Sequence, residues 1–375
     1  MSLPEKFCVA PFKSAVIDRD GTMLPCCEYI PDSDKSKLTK LKNIDRWWKI
    51  ELEDIRKDMI DGKVNPGCHH CLTKELNPTY QSHRQYINSK YPNLDVNVEL
   101  DVIEIRVSNY CNLKCIMCGS YASSSIAEEY RKYETEYNNI GMVGAWEPTV
   151  RWWDDQESLD NLKNILTTVS RINFAGGEPL LVPEVTDILN SLDPSKIKHI
   201  SMNTNLTRLT ISHLETFKRF NSIDIMVSLE GIKEHNDYIR YGSSWASVEQ
   251  NIKTLKELSN IKLSITHVLQ HTSIFSLPNL IEFSEQHDIT LNLTEIYYGS
   301  YPSPGVLTVN SALPNHVNCF VAWLTEYDGI YKAQLVNWIK KYESDNDLHD
   351  KFCKYIAMLD GIRGNNFADT FQINI

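Results

Sequence analysis

No stretch of this sequence stays apolar for the roughly 18 residues a membrane-spanning helix needs. Its start, MSLPEKFC, lacks the apolar core of a secretory leader, so a cytoplasmic location and no membrane partner are expected. Basic residues are the minority, 38 Lys and Arg against 49 Asp and Glu, giving a formal charge of −11 that disfavours nucleic acid as a partner. Glycine and proline number only 15 each in 375 residues, and hydrophobic residues make up 42%, which excludes a disordered or low-complexity chain. The length suits one large α/β domain or two unequal ones.

Cysteine is what the chain does have. Ten occur, at positions 8, 26, 27, 68, 71, 111, 115, 118, 319 and 353. In a long chain with no export signal, such usage points to metal or redox chemistry rather than to a disulfide framework. Cys319 and Cys353 stand alone in helical-looking sequence and are expected to be buried small hydrophobes.

Hydrophobic periodicity organises the rest. Residues 1–95 read as irregular, with a short strand over 14–17, a helical stretch over 44–60 and a turn at Asn65-Pro66-Gly67. A period-two pattern over 98–107 starts a series of strands, continued near 171–175, 198–203, 223–228, 260–268 and 290–296. Amphipathic helices are expected near 121–135, 156–169, 183–192, 210–219, 245–258 and 277–287. Six strands separated by crossover helices predict an α/β fold, a partial (β/α)6 parallel barrel. The expected division is a small Cys-rich module over 1–95, the barrel over 96–300 and a helical extension over 301–375.

The first barrel strand runs into Ser-Asn-Tyr-Cys111-Asn-Leu-Lys-Cys115-Ile-Met-Cys118. Three thiolates so close together can wrap one corner of a cubane. A [4Fe–4S] cluster normally takes four cysteines, so three leave one iron open for a substrate or cofactor. A zinc knuckle with a distant fourth ligand is the rival. The second strand ends in Gly176-Gly177-Glu178-Pro179, where glycines admit close approach of the backbone and a carboxylate can hold an ammonium group. Asn203-Thr204-Asn205 closes the third strand, and Ser228-Leu229-Glu230-Gly231 the fourth, with Arg240 twelve residues after the serine. A hydroxyl suits a ribose and a guanidinium suits a carboxylate.

This order of elements over roughly 98–300 resembles the radical S-adenosylmethionine (SAM) superfamily, whose signature is the spacing of Cys111, Cys115 and Cys118. Met117 stands where that family usually has an aromatic residue, and Glu230 where many relatives have Asp. The resemblance implies that the open iron chelates the amino and carboxylate groups of SAM. Reduction then splits the sulfonium C–S bond to give methionine and a 5′-deoxyadenosyl radical that abstracts a substrate hydrogen. It also implies that Gly176, Gly177 and Glu178 bind the SAM amino group, Ser228 and Arg240 its ribose and carboxylate, and that Asn205 faces the cleft. At the sixth strand Glu295, Tyr297 and Tyr298 frame adenine or substrate, or else plug the barrel. No catalytic side chain can be named, and a flavodoxin- or ferredoxin-like electron donor is implied.

Cys8, Cys26, Cys68 and Cys71 come from separate loops and can ligate a second [4Fe–4S] cluster, a staple that so irregular a segment needs for order. Cys26, five residues after Gly21, is preferred to Cys27 as the ligand. The pattern resembles the SPASM/twitch auxiliary-cluster modules of radical SAM enzymes, here placed before the barrel; one cluster's worth of cysteines fits twitch better than a two-cluster SPASM. Zinc held by these cysteines with His69 or His70 is the rival. The implied activity is oxidoreductase-type modification of a peptide or peptide-like substrate. The alternatives are a sugar, a nucleotide or another small molecule, or a non-enzymatic zinc- or cluster-binding module. The aromatic loop holding Trp146, Trp152 and Trp153 reads either as a substrate flap or as a hydrophobic plug.

Overall fold

The computed structural model describes residues 3–31, 38–76, 81–91, 96–142, 147–296 and 305–373. Trp146, Tyr297 and Tyr298 therefore lie outside the described residues. Among the described residues ten strands occur in chain order: β1 (Ser14–Ile17), β2 (Met23–Leu24), β3 (Val102–Arg106), β4 (Lys114–Cys115), β5 (Arg171–Ala175), β6 (His199–Thr204), β7 (Ile223–Ser228), β8 (Arg240–Tyr241), β9 (Ile261–Leu269) and β10 (Thr290–Glu295). All six barrel strands expected from the sequence are present, each within a few residues of its predicted span and each followed by helix, giving the α/β architecture. Among the described residues no helix is long and apolar enough to cross a membrane.

The backbone forms two compact units. The first comprises residues 1–108, 150–202 and 215–223. Its strands lie in the order β2, β1, β3, β5, β6, parallel except for the β1–β2 hairpin. The N-terminal segment thus does more than hold loops: β1 pairs with β3 from Ser14↔Val102 to Ile17↔Ile105. All four residues of β1 are buried, as a strand covered on both faces should be. On β3, β5 and β6 one face is apolar, with Ile103, Ile105, Ile172, Phe174, Ile200 and Met202 almost wholly buried. The other face carries a polar rung at one register level, where Asn173 Nδ2 donates to Glu104 Oε2 (3.3 Å) and Ser201 Oγ to Asn173 Oδ1 (3.0 Å). Trp152 and Trp153 are buried in this unit, with Trp152 packed over Gly21, whose φ of +79° and lack of a side chain admit the indole.

The second unit comprises residues 109–149, 203–214 and 224–375. Here β7, β9 and β10 lie side by side, β9 parallel to β10, and β4 pairs antiparallel with β8. The helical tail, Pro314–Glu326, Lys332–Ile339, Asn346–Arg363 and Phe367–Phe371, is no loose appendage. Its Phe352, Tyr355, Ile356, Leu359, Phe367 and Phe371 share one apolar cluster with Leu113, Ile116, Met117, Tyr238 and Ile239. The expectation of two buried tail cysteines is corrected. Cys319 is exposed, because it lies off the stripe of Val317, Phe320 and Leu324 that its helix buries. Cys353 is half-buried, its Sγ 3.4 Å from His349 Nε2.

Candidate functional site

In the second unit the loop that carries the three cysteines is held at each of them. Ser125 Oγ donates to the Cys111 carbonyl (2.8 Å), and the Cys111 N–H donates to Ser124 Oγ (3.2 Å). Cys115 faces Arg240 across the β4–β8 pair, and the Ile116 N–H donates to the Ile239 carbonyl (2.9 Å). The Cys118 N–H then closes a turn onto the Cys115 carbonyl (3.1 Å). Met117 is buried in the apolar cluster, so the expected aromatic is replaced by a side chain that fills an irregular gap equally well.

Two polar side chains face these sulfurs. Asn205 Nδ2 lies 3.7 Å from Cys111 Sγ and donates to Asn112 Oδ1 (3.1 Å), while its Oδ1 accepts from the Thr207 N–H. Arg240 Nη1 lies 3.7 Å from Cys115 Sγ. Its Nη2 pairs with Glu230 Oε1 at 2.7 Å, and its Nε is buried with no partner among the described residues. A hydrogen bond shared with Cys118, reinforced by the Arg240 guanidinium, pulls the buried Cys115 thiol down, while Cys118 is pushed up. Ser228 ends β7 and is half-buried. Glu295 pairs with Lys341 at 2.6 Å on an exposed edge.

The first unit holds residues 176–178. Gly176 and Gly177 adopt φ of +73° and +48°, and a Cβ on Gly176 would stand 3.0 Å from Arg106 Cβ and 3.2 Å from the Ser108 carbonyl oxygen. Only glycine suits that path. Glu178 is buried, its Oε1 accepting from the Leu180 N–H (3.0 Å).

The same unit contains a cleft lined by Cys8, Cys26, Cys68 and Cys71, together with Glu28, His83 and Arg84. Each thiol is placed by a local device. Asn88 clamps the loop of Cys8 from both sides, its Nδ2 donating to the Phe7 carbonyl and its Oδ1 accepting from the Val9 N–H, both at 2.9 Å. Ser14 Oγ donates to the Pro25 carbonyl beside Cys26 (2.8 Å). Cys68 and Cys71 are brought to one side by a turn of 3₁₀-helix, Pro66–Cys68, leading into the helix His69–Lys74, since residues three apart share a helical face. Cys27 is not among the lining residues; its Sγ is 3.7 Å from both ring nitrogens of His83. His69 and His70 are engaged elsewhere, with the Pro66 carbonyl and Glu28. Burial pushes Cys8 up to about 12, Cys68 to about 11, and Cys26 and Cys71 upward as well. Thiols so buried ionise only when a cation takes up their charge.

Among the described residues no three His, Cys, Asp or Glu side chains converge on a point that would hold a single metal ion. A cubane does not ask for that, because each thiolate ligates a different iron. Both cysteine sets therefore offer a cluster sulfur donors, with Glu28 and His83 also in the lining of the N-terminal cleft. Glu230, which orients Arg240, was open to sequence reading because it lies within the quoted Ser228 element; Asn88 and Arg84 carried no such signal.

Residues 105–283 match the Radical SAM superfamily. Among relatives, a probable GTP 3′,8-cyclase of Methanocaldococcus jannaschii is 23% identical over 201 residues, 52% of this chain and 59% of its own. The radical SAM cyclopropyl synthase TigE of Paramaledivibacter caminithermalis is 23% identical over 240 residues, 59% of this chain and 48% of its own. Both are named as enzymes, and this chain spans about half the length of each. Of solved structures, native anSMEcpe with bound AdoMet has a TM-score of 0.43 at 15% identity, covering 65% of this chain and 63% of its own. Streptococcus suis SuiB bound to precursor peptide SuiA has a TM-score of 0.40 at 15% identity, covering 83% and 68%.

Proposed function

We propose, taking the Radical SAM superfamily domain of residues 105–283 as the premise, that this chain is an enzyme that cleaves SAM reductively and removes a hydrogen atom from a peptide or peptide-like substrate. The observation that carries this reading is the 111–118 loop, three thiols with Asn205 and Arg240 facing two of the sulfurs. Cys111, Cys115 and Cys118 would hold a [4Fe–4S] cluster there, which when bound would supply the electron that splits the sulfonium bond. The chain's own residues bind and orient. In the second unit Arg240 would present its Nε, which has no partner among the described residues, to a carboxylate and Ser228 its hydroxyl to a ribose; in the first, Gly176 and Gly177 would admit a ligand to the backbone and Glu178 would hold an ammonium group.

Residues 1–95 act in this proposal as a twitch-like module whose Cys8, Cys26, Cys68 and Cys71 hold an auxiliary [4Fe–4S] cluster. Support comes from the cleft those four thiols line and from its lack of His69, His70 and Cys27. The region 96–300 is the barrel, 301–375 the helical extension, and a flavodoxin- or ferredoxin-like protein the electron donor. A nucleotide substrate is the second reading, favoured by the relatives named as GTP 3′,8-cyclases.

Iron, acid-labile sulfide and zinc per chain after anaerobic reconstitution test this first. About eight irons mean two clusters, each needing four. About four irons with one zinc keep the SAM chemistry and make the N-terminal site a structural staple. Zinc alone overturns the enzyme reading.

A further inference from the structure

Resting on the SAM-cleaving function proposed above, we infer that Glu230 positions Arg240 against the Cys115 sulfur, so that one buried ion pair sets both the grip on the cofactor and the reduction potential of the cluster. The β4–β8 pairing places the backbone of Arg240 opposite Cys115 but cannot aim a long, rotatable side chain. Glu230 does. It is wholly buried on the turn after β7, with Oε1 on Arg240 Nη2 at 2.7 Å. Its Oε2 accepts from the Val268 N–H at 3.1 Å, which pins the carboxylate to the end of β9.

His267 completes the clamp without competing for the charge. Its Nδ1 lies 3.1 Å from the Leu229 carbonyl and 3.3 Å from Glu230 Oε2, both acceptors only, so that nitrogen carries the hydrogen. Burial keeps the ring neutral, and Nε2 accepts from Ser273 Oγ at 2.8 Å. Glu230 thus gives Oε2 to the Val268 N–H and the neutral His267 ring, and Oε1 to Arg240. With Nη2 so held, Nη1 reaches Cys115 Sγ at 3.7 Å and Nε stays buried with no acceptor among the described residues. One guanidinium thus has one nitrogen on its orienting carboxylate, one on a cluster sulfur and one in reserve for an incoming carboxylate. An N–H donor at a cluster sulfur draws off negative charge and raises the reduction potential.

The test uses the full chain, reconstituted anaerobically, with two readouts that a purely structural role would not move. These are the midpoint potential of the EPR signal that responds to SAM, and SAM affinity by equilibrium dialysis without reductant. Glu230→Gln is expected to weaken SAM binding about tenfold, the size of one misdirected charged hydrogen bond, and to shift the potential by the difference between the lost directed N–H, which lowers it, and the lost negative charge, which raises it. Glu230→Asp should recover part of both. If Glu230→Gln loads wild-type iron yet leaves potential and affinity unchanged, the role of Glu230 is overturned. If Glu230→Gln fails to load iron, Arg240→Lys decides: it keeps the charge beside Glu230 but not the forked N–H at Cys115. A lowered potential with normal iron then supports the inference, and an unchanged one overturns it. A wild-type chain with no SAM-responsive signal removes the parent function, an outcome distinct from any failure of Glu230.

Discussion

Tyr355, on a helix near the C-terminus, donates its hydroxyl to the main-chain carbonyl of Ile116 at 2.7 Å, between the second and third cysteines of the 111–118 loop. Both residues are almost completely buried. The tail therefore shapes the loop by a named hydrogen bond as well as by packing. Tyr355→Phe keeps the ring and strands a buried carbonyl, at a cost of about 1–3 kcal/mol. The thermal midpoint should fall, and iron retained at the SAM-binding cluster should fall with it. Unchanged iron retention alongside a lowered midpoint would confine Tyr355 to stability.

The two cysteine sets belong to different compact units, and each cluster should survive loss of the other's ligands. Cys115→Ala is expected to abolish 5′-deoxyadenosine formation while keeping about four irons per chain. Cys71→Ala should also keep about four irons, retain SAM cleavage and lose substrate turnover or solubility. Iron analysis and product chromatography separate the cases. Undiminished SAM cleavage in Cys115→Ala sinks the assignment of the 111–118 loop.

Asn88 is the cheapest place to disturb the N-terminal site without touching a thiol. Its two hydrogen bonds to Phe7 and Val9 bracket Cys8, and the helix that carries it, His83–Ser89, starts in a full capping box between Ser82 and Gln85. Asn88→Ala should cost about 1–3 kcal/mol and reduce iron toward that of a one-cluster chain, with SAM cleavage persisting. Asn88→Asp keeps the acceptor for the Val9 N–H and should fall in between. Full iron in Asn88→Ala would show that Cys8 is placed by other means.

How much of this was legible beforehand follows from the range of each interaction. The strands β3, β5, β6, β7, β9 and β10 stood out because their periodicity is local, as did the 111–118 spacing. The exposure of Cys319 was also there to be read, since Val317, Phe320 and Leu324 mark the buried stripe and leave position 319 outside it. The pairing of β1 with β3 was not, because a parallel pair spanning more than eighty residues leaves no local mark. For the same reason the apolar faces of the tail were visible, but not that they cover Leu113, Ile116 and Met117. Glu230 was quoted as a departure from a familiar pattern, yet its ion pair with Arg240 and its bond to Val268 exist only in the folded chain.

A second buried ion pair should make acid stability depend on one carboxylate. Glu129 and Arg363 are almost fully buried side chains joined by bonds from Nε and Nη2, the shortest 2.7 Å, with the Tyr137 hydroxyl donating to Glu129 at 2.8 Å. Burial by itself would raise the carboxyl, but the bonds from Arg363, then Tyr137 and Lys114, outweigh it and hold Glu129 below the usual carboxylate range. A carboxylate depressed in the folded state contributes stability above its unfolded value, near 4.3, and that contribution is lost as pH falls through the lower folded value. The wild-type thermal midpoint should therefore drop steeply below about pH 4. Glu129→Gln should start lower at neutral pH, with Arg363 left uncompensated, and show a shallower acid limb. Midpoints measured for both chains from pH 7 to pH 3 decide it: parallel acid limbs would mean that other carboxylates govern the acid response.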